Sequence, residues 1–423
     1  MENIDIGTIK TKRRFSINWD KINVFKKFWR LKPISKIIVV FFLLGFGAVV
    51  YKGYEVVSIF KVHQPLNSDF VLLTPKTEKN SLVDYKIPEP PQVRDQVNPI
   101  NGNLVTKDQI DEMENRKVIA VTMNNHTSAR PQSGLSQADV VMEVLAEGGI
   151  TRYVALFYEN VDVVKIGPIR SVRVYMIEFI QGFDDPVLLH EGQAGYDGAG
   201  FETYNVRADA RGYFFKNSIK SLQTAGSRYR DLKWASTHGY VHALFTSGEL
   251  MNGDIAKTSQ SRGWEQSSAV KPIPFKFDDP LEEREDFGTV ETTFLGLSSA
   301  SYRSSFTYDK QSNTYLRSLA GEKDIDNNTG QQIAPKNVVI EWHKYQQAND
   351  GHARIILDMI GEDEVTILRD GKTINGTWEK KCAECRTHYF DTSGNEIELN
   401  RGQIWIMNVV RTSSKKLSTV EFK

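Results

Sequence analysis

Cysteine is almost missing from this chain. Cys382 and Cys385, arranged Cys-Ala-Glu-Cys, are the only two in 423 residues. Two thiolates are half the ligand set of a structural zinc, so these two alone do not make one. No strand leading into a Cys-x-x-Cys helix is visible, which argues against a thioredoxin-like redox centre. Net charge is also missing, because 53 Lys and Arg balance 53 Asp and Glu. The fingerprints of a P-loop, a dinucleotide fold and a Gly-x-Ser-x-Gly hydrolase are absent, and no internal repeat is detectable. Long apolar runs are absent too, with one exception.

The exception runs between Lys36 and Lys52, where residues 37–51 carry no charge. As a helix they span about 22 Å at 1.5 Å per residue. That is short of a hydrocarbon core of roughly 30 Å, but Ile34, Ser35 and the snorkelling stems of the two lysines extend it. Residues 1–36 hold ten Lys and Arg against three acids. The positive-inside bias therefore keeps this end cytoplasmic and sends the rest across. A buried core helix and a cleaved signal peptide are the competing readings. The long basic n-region and the lack of a small-x-small site after the run favour an uncleaved anchor.

Because the tail has a surplus of seven positive charges in a neutral chain, residues 37–423 carry a net charge of −7. That disfavours nucleic acid as a partner, since such binding needs a basic footprint. The tail itself suits anionic lipid headgroups. Outside the membrane, Cys382 and Cys385 are expected to form a local disulfide.

Beyond the anchor, residues 55–115 read as irregular, broken by Pro65, Pro88, Pro90, Pro91 and Pro99. Strand signals begin at 118–123. Residues 138–147 and 150–158 flank Gly148-Gly149 and read as a hairpin, with a capped helix over 139–146 as the rival. Gly167-Pro168-Ile169-Arg170 is expected to open a helix running to Gln181, followed by a strand at 187–190. A helix is expected over 247–257. The prolines and acids of 262–300 mark a join. Short strands then follow, at 305–308, 315–318, 337–345, 353–360, 364–369, 372–379, 387–391, 396–399 and 403–410, with Asp370-Gly371 as a hairpin turn.

A two-residue Gly148-Gly149 turn would set Leu145 opposite Arg152 and put Glu143, Leu145, Glu147 and Arg152 on one face. Two carboxylates beside a guanidinium can serve acid/base chemistry, or they can be a solvated face of cross-strand ion pairs. Arg170 and Arg173, at an expected helix start, suit a phosphate or carboxylate, or pair internally with Glu143, Glu147 or Asp139. His190 ends a strand where α/β folds place ligands, yet a lone histidine is more often structural. His126, in the loop after the first strand, and His242 are further candidates, but no pair has metal-ligand spacing on one element. Gly239 interrupts the His238/His242 pair.

Several segments taken together resemble the YerB-like family. They are Asn125-His126, Ala129 to Leu135, Ala138-Asp139-Val140-Val141, Glu143-Val144-Leu145, Glu147 to Arg152 and Gly167-Pro168-Ile169-Arg170-Ser171. The segments Leu368 to Lys372, Gly376-Thr377-Trp378 and Gly402 to Ile406 resemble the family's separate C-terminal domain. The resemblance implies a bacterial extracytoplasmic protein with an α/β N-terminal domain of unknown function and a β-rich second domain. It supplies no reaction. The lipobox cysteine of many relatives is absent here. The family's His-Ala-Gly-Gly-Ser and Pro-His-Asn segments read His190-Glu191-Gly192-Gln193-Ala194 and Val241-His242-Ala243.

The expected fold is α+β: a mixed α/β N-terminal domain whose sheet is covered by helices, a smaller β-rich C-terminal domain, and one N-terminal transmembrane helix. The expected boundaries are a tail at 1–36, an anchor at 37–54, a stalk at 55–97, domains at 98–270 and 301–415, and a join at 271–300. The expected function is that of a membrane-anchored envelope protein binding an anionic wall ligand or a protein partner. Its candidate ligand-binding set is Asn125, Arg130, Asp139, Arg152, Arg170, Ser171, Arg173 and His242. A wall-glycan hydrolase or lyase using Glu147 or Glu143, assisted by His190, is the alternative, and a purely structural scaffold is a third reading. No cofactor or metal is expected.

Overall fold

The computed structural model describes residues 92–195, 204–267, 269–295 and 300–423. The expected anchor at 37–54 lies outside them, as do the tail and nearly all of the stalk. Among the described residues no helix is long and apolar enough to cross a membrane.

Strands β1 (Arg94–Val97) and β2 (Leu104–Thr106) form a hairpin, and helix α1 (Lys107–Glu114) follows. The Thr106 hydroxyl accepts from Gln109 N while the Gln109 side chain accepts from Thr106 N, a complete capping box. This part of the chain reads as irregular in sequence because of its prolines, but it is ordered by that cap and by a docked asparagine-rich loop. The chain continues with β3 (Ile119–Asn124), β4 (Val140–Leu145), β5 (Thr151–Phe157), α2 (Val174–Ile180), β6 (Val187–Leu189), α3 (Ala210–Asn217) and β7 (Ser221–Leu222). Next come β8 (Tyr229–Arg230), α4 (Leu232–His238), β9 (Leu244–Phe245), α5 (Gly248–Arg262) and β10 (Phe275–Lys276). The remainder is all strand: β11 (Thr289–Thr293), β12 (Ser304–Asp309), β13 (Thr314–Leu319), β14 (Glu322–Lys323), β15 (Asn337–Gln347) and β16 (Ile355–Leu357). It closes with β17 (Gly361–Arg369), β18 (Lys372–Lys380), β19 (His388–Asp391), β20 (Leu399–Asn400), β21 (Ile404–Arg411) and β22 (Thr419–Phe422).

The architecture is mixed α/β, with several sheets and few helices. The main sheet has eleven strands in the order β19-β18-β17-β15-β21-β4-β5-β3-β6-β7, with β16 added on β15. Strand β21 lies parallel between β15 and β4, with Trp405 opposite Val141. The late strands therefore continue the early sheet without a break, and Ile87–Lys423 forms one compact unit. A second sheet, β14-β13-β12-β11-β22, is antiparallel throughout. One buried apolar cluster runs from Ile100 to Val410 and includes residues of both sheets. All residues of β3, β4 and Ile404–Val410 are buried, which explains their near-continuous apolar sequence.

Two local expectations are corrected. The Gly148-Gly149 turn is not a two-residue turn. Leu145 pairs with Thr151 and Val144 with Arg152, so residues 146–150 form the connection, with Gly148 and Gly149 at φ 68° and 76°. This one-residue slip sends Arg152 to the opposite face from Glu143. The helix expected from Pro168 starts only at Val174. Residues 166–173 are held extended instead: Ile169 bridges Met123, Ile166 bridges Thr246, and Arg170 N donates to Thr122 O at 2.9 Å. The helix at α5 does begin at its Ser247 cap, whose hydroxyl accepts from Leu250 N at 3.3 Å. It runs to Arg262, one turn and more past the expected end.

Candidate functional site

The β4–β5 hairpin carries charged groups on both faces, and the two faces differ in access. On one side Glu143 is fully buried. It accepts from Arg317 Nη2 at 2.9 Å, Trp405 Nε1 at 3.2 Å, Thr151 Oγ1 at 3.3 Å and Ser304 Oγ at 3.4 Å. Arg317, equally buried, also pairs with Asp324 and lies 4.5 Å from the Trp405 ring centroid. Burial works against the guanidinium charge, but Glu143 and Tyr153 outweigh it and hold the pKa above the ordinary value. No reacting molecule reaches Glu143 in this arrangement. It joins β4 to β13 and β21.

On the other side, Glu147 projects from the turn after β4. Arg173 donates to it through both Nε and Nη2, the latter at 2.7 Å, and Arg152 Nη2 adds a contact at 3.4 Å. Burial would push the Glu147 carboxyl up, but the bonds and charges of Arg173 and Arg152 hold it below the usual carboxylate range. It is an ionised anchor, ill suited to donate a proton at neutral pH. Arg152 Nη1 donates to Ser171 O at 2.8 Å and Arg173 Nη1 to Val172 O at 2.7 Å. Burial, and then the charge of Arg173, bring the Arg152 pKa down to about 10. The internal-pairing reading of Arg173 is thus the observed one, although its partner sits on a turn and its own residue caps α2 without lying in the helix.

Arg170 differs from these. Its side chain is half-exposed and, among the described residues, makes a single long contact, Nη1 to Val241 O at 3.4 Å. Beside it, the loop after β3 and the loop before β9 bring His126 and His242 into a stack, with ring centroids 4.6 Å apart and planes 12° from parallel. Asn124 fixes this pair. Its Oδ1 accepts from His126 N at 3.0 Å, so its Nδ2 faces His242 Nδ1 at 2.8 Å. His126 Nδ1 in turn accepts from Ser128 N at 3.1 Å. Both Nδ1 atoms are therefore acceptors, and each neutral ring keeps its proton on Nε2. Neither Nε2 has a hydrogen-bond partner among the described residues. Burial lowers the His242 pKa, and so do His126, Arg170 and His238 nearby.

The other candidates fall elsewhere. Arg130 donates to Asn125 Oδ1 and Asn125 O, both at 3.0 Å, and to Ser301 O at 2.8 Å, and it lies 5.0 Å from the Tyr302 ring centroid. Asn125 also donates to Thr151 Oγ1 at 2.7 Å, so it ties the loop to β5, while Arg130 ties it to the C-terminal half through Ser301 O. Asp139 immediately precedes β4, at the end away from Glu147. It accepts from Asn101 Nδ2 at 2.5 Å, Tyr158 N at 2.6 Å and Glu159 N at 3.1 Å. Burial and then the Glu159 carboxylate raise its pKa to about 7. His190 is buried between Gly192 O and Ser221 Oγ, each at 2.8 Å, and stacks on Phe214. Burial lowers its pKa to about 4, so it is neutral and structural at pH 7. Cys382 and Cys385 are bonded to each other. Among the described residues no group of His, Cys, Asp or Glu is placed to hold a metal.

The structure thus brings together Arg152, Ser171, Arg170, Arg173, Glu147 and His242. It adds Asn124 and His126, which the sequence reading left out of the binding set. The signal for these two was available, in the Asn-Asn-His run directly after a buried strand.

The chain matches two family descriptions: the N-terminal domain of a protein of unknown function (DUF3048), over residues 105–260, and the C-terminal domain of the same family, over 293–406. It is 31% identical over 290 residues to "Putative lipoprotein YerB" of Bacillus subtilis (strain 168), covering 67% of this chain and 77% of that one. The crystal structure of the YerB protein from Bacillus subtilis superposes with a TM-score of 0.61 at 23% identity, covering 77% of this chain and all of that one. With both domains matched in order and the fold shared, the chain belongs to the YerB-like family.

Proposed function

We propose that this is a membrane-anchored, extracytoplasmic cell-envelope protein. It binds an anionic ligand at the mouth formed by Arg170, His126 and His242. The anchor is the apolar segment at 37–54, with residues 1–36 in the cytoplasm and the chain from 55 up to β1, not to 97 as the sequence suggests, as the connection to the folded part. The relative named as a lipoprotein is consistent with attachment to a membrane, by a lipid there and by a helix here.

One observation carries the binding reading. The His126 and His242 rings stack at 4.6 Å with Arg170 near enough to act on His242, and among the described residues no carboxylate is bonded to any of the three. Cationic and donor groups gathered this way without a counter-charge suit a phosphate or carboxylate from solution. The Arg152–Glu147–Arg173 group, near enough for Arg170 to act on Arg152, adds a net positive charge. The hydrolytic reading has less support, because Glu143 is sealed, Glu147 is clamped as a carboxylate and His190 is buried and neutral.

The test is a titration of the histidine ring nitrogens by NMR with inorganic phosphate, and then with soluble wall fragments. Saturable shifts at His126 and His242 are expected, weakened by salt and lost in Arg170→Ala. Binding that Arg170→Ala leaves unchanged would overturn the assignment. Turnover of wall fragments that disappears in Glu147→Gln would establish the hydrolase instead.

A further inference from the structure

The excursion between β8 and β9 carries an unusual density of exposed apolar side chains. It consists of helix α4 and a 3-10 turn, Tyr240–His242, carried at the end of a two-residue-wide hairpin. Leu232 is 70% exposed, Tyr240 64% and Val241 54%. With Tyr229, they make four of the fourteen large exposed hydrophobics among the described residues, all within thirteen positions. Single exposed apolar side chains are ordinary, but four within one short excursion are not.

Cations surround the cluster. The Arg230 guanidinium lies 3.9 Å from the Tyr240 ring centroid, Lys233 is exposed on α4, and Arg170 touches Val241 O. The single acid of the excursion, Asp231, is already engaged. It caps α4 by accepting from Trp234 N at 2.9 Å and pairs with Lys165 at 2.8 Å. This cationic, apolar tip stands on a portion of the chain whose net charge is −7.

We infer that the tip docks on an anionic lipid surface, with Leu232, Tyr240 and Val241 entering the interfacial region and Arg230, Lys233 and Arg170 meeting headgroup phosphates. The inference rests on the anion-binding reading of the Arg170 site and names the source of the anion as a lipid headgroup. Aliphatic side chains beside aromatic ones and cations match the chemistry of a bilayer interface. A hydroxylated sugar has no use for exposed Leu232 and Val241. Four side chains are too few for a stable protein interface of roughly 1,200–2,000 Å². A weak lipid contact suffices for a tethered protein, because the proposed anchor keeps the local lipid concentration high.

The test is co-sedimentation of residues 87–423, the self-contained unit with its own core, with vesicles of phosphatidylglycerol and phosphatidylcholine, against phosphatidylcholine alone. Binding to the anionic vesicles is expected. It should fall at least tenfold in the Leu232→Ser/Val241→Ser double variant and also in high salt, with an unchanged circular dichroism spectrum. Both positions are exposed, so the variant keeps its fold. No binding to anionic vesicles at low salt overturns the inference, and so does equal binding by the double variant. Retention on wall fragments in place of vesicles overturns it as well. Phosphate binding measured on the same samples separates the two readings. If phosphate still binds at Arg170 while vesicles do not, lipid docking fails alone. If phosphate does not bind, the site reading fails.

Discussion

The two faces of the β4–β5 hairpin use the same chemistry for opposite ends. Each holds a glutamate against arginine, and the two glutamates are only four residues apart. Glu143 meets Arg317 in a space closed by Trp405, Tyr153 and Phe306. Glu147 meets Arg173 and Arg152 at a turn, where its side chain keeps 20% of its accessible surface. The difference comes from register. With Val144 opposite Arg152, alternation sends Arg152 to the face away from Glu143. A carboxylate–guanidinium pair therefore says little about function until its face is known. One pair holds two sheets together, and the other backs an open site.

The largest effect should come from the sealed face. Arg317→Ala leaves Glu143 and Asp324 buried without their counter-charge, and the expected loss is about 3–5 kcal/mol. Urea unfolding of residues 87–423 reads this directly. A loss below about 1 kcal/mol would mean that water reaches Glu143, and the contrast between the faces would collapse. Replacing Glu143 and Arg317 together by apolar residues should recover much of the loss, because the desolvation penalty leaves with the charges.

A third acid of this segment, just before β4, sharpens the comparison because it has no arginine. Asp139 is held by amides alone, and its pKa of about 7 is raised relative to the unfolded chain. A carboxyl raised on folding binds its proton more tightly in the native state. Its contribution is fully present below the unfolded value of about 4 and is lost as pH rises through about 7. Between pH 5 and 8 the stability attributable to this group should fall by on the order of 2 kcal/mol. Asp139→Asn should flatten that part of the profile. An unchanged profile would show that the donors from Tyr158, Glu159 and Asn101 keep Asp139 charged after all.

How far the sequence could lead is clearest at this hairpin. The two strands were legible from their apolar runs, and so were the C-terminal strands from their turns. The register was not, because Gly148-Gly149 suits a two-residue turn as well as the five-residue connection that forms. The helix start was misplaced for a tertiary reason. A Gly-Pro followed by a mixed run does resemble a helix opening, but bridges to Met123 and Thr246 hold those residues extended. Arg317 and Trp405, which decide what Glu143 does, lie 174 and 262 positions away from it, and no local pattern points to them. Strand β21 entering between β4 and β15 is equally non-local. The Thr106-x-x-Gln109 capping box, which marks ordered chain well before Val118, is passed over because the surrounding prolines read as irregular.

On the open face, Arg173→Ala should cost about 1–2 kcal/mol, less than Arg317→Ala, because the stranded Glu147 can still take up water. The Glu147 carboxyl should then titrate higher, since burial remains and its main partner is gone. Carbon-13 NMR of that carboxyl checks the direction. A pKa that stays low would assign the anchoring role to Arg152.

The smallest effect on folding and the largest on binding should coincide at Arg170. Its side chain makes one long contact, so Arg170→Ala should change stability by no more than about 0.5 kcal/mol. Phosphate affinity should nevertheless collapse. The pH dependence follows from the same groups. Burial and neighbouring positive groups lower the His242 pKa in the free protein, and a bound anion raises it again. The proton taken up on binding goes to His242 Nδ1 and turns the Asn124 amide away, and affinity should rise as pH falls below the ordinary histidine value. Arg170 stays charged throughout, so the variant should lose affinity at every pH, whereas His242→Gln should lose mainly the acid-side gain. Calorimetric titrations of sulfate, an anion that stays doubly charged across this range, into the three proteins at pH 5.5 and pH 8 distinguish these outcomes. An affinity that does not respond to pH would remove His242 from the site and leave Arg170 as its only anchor.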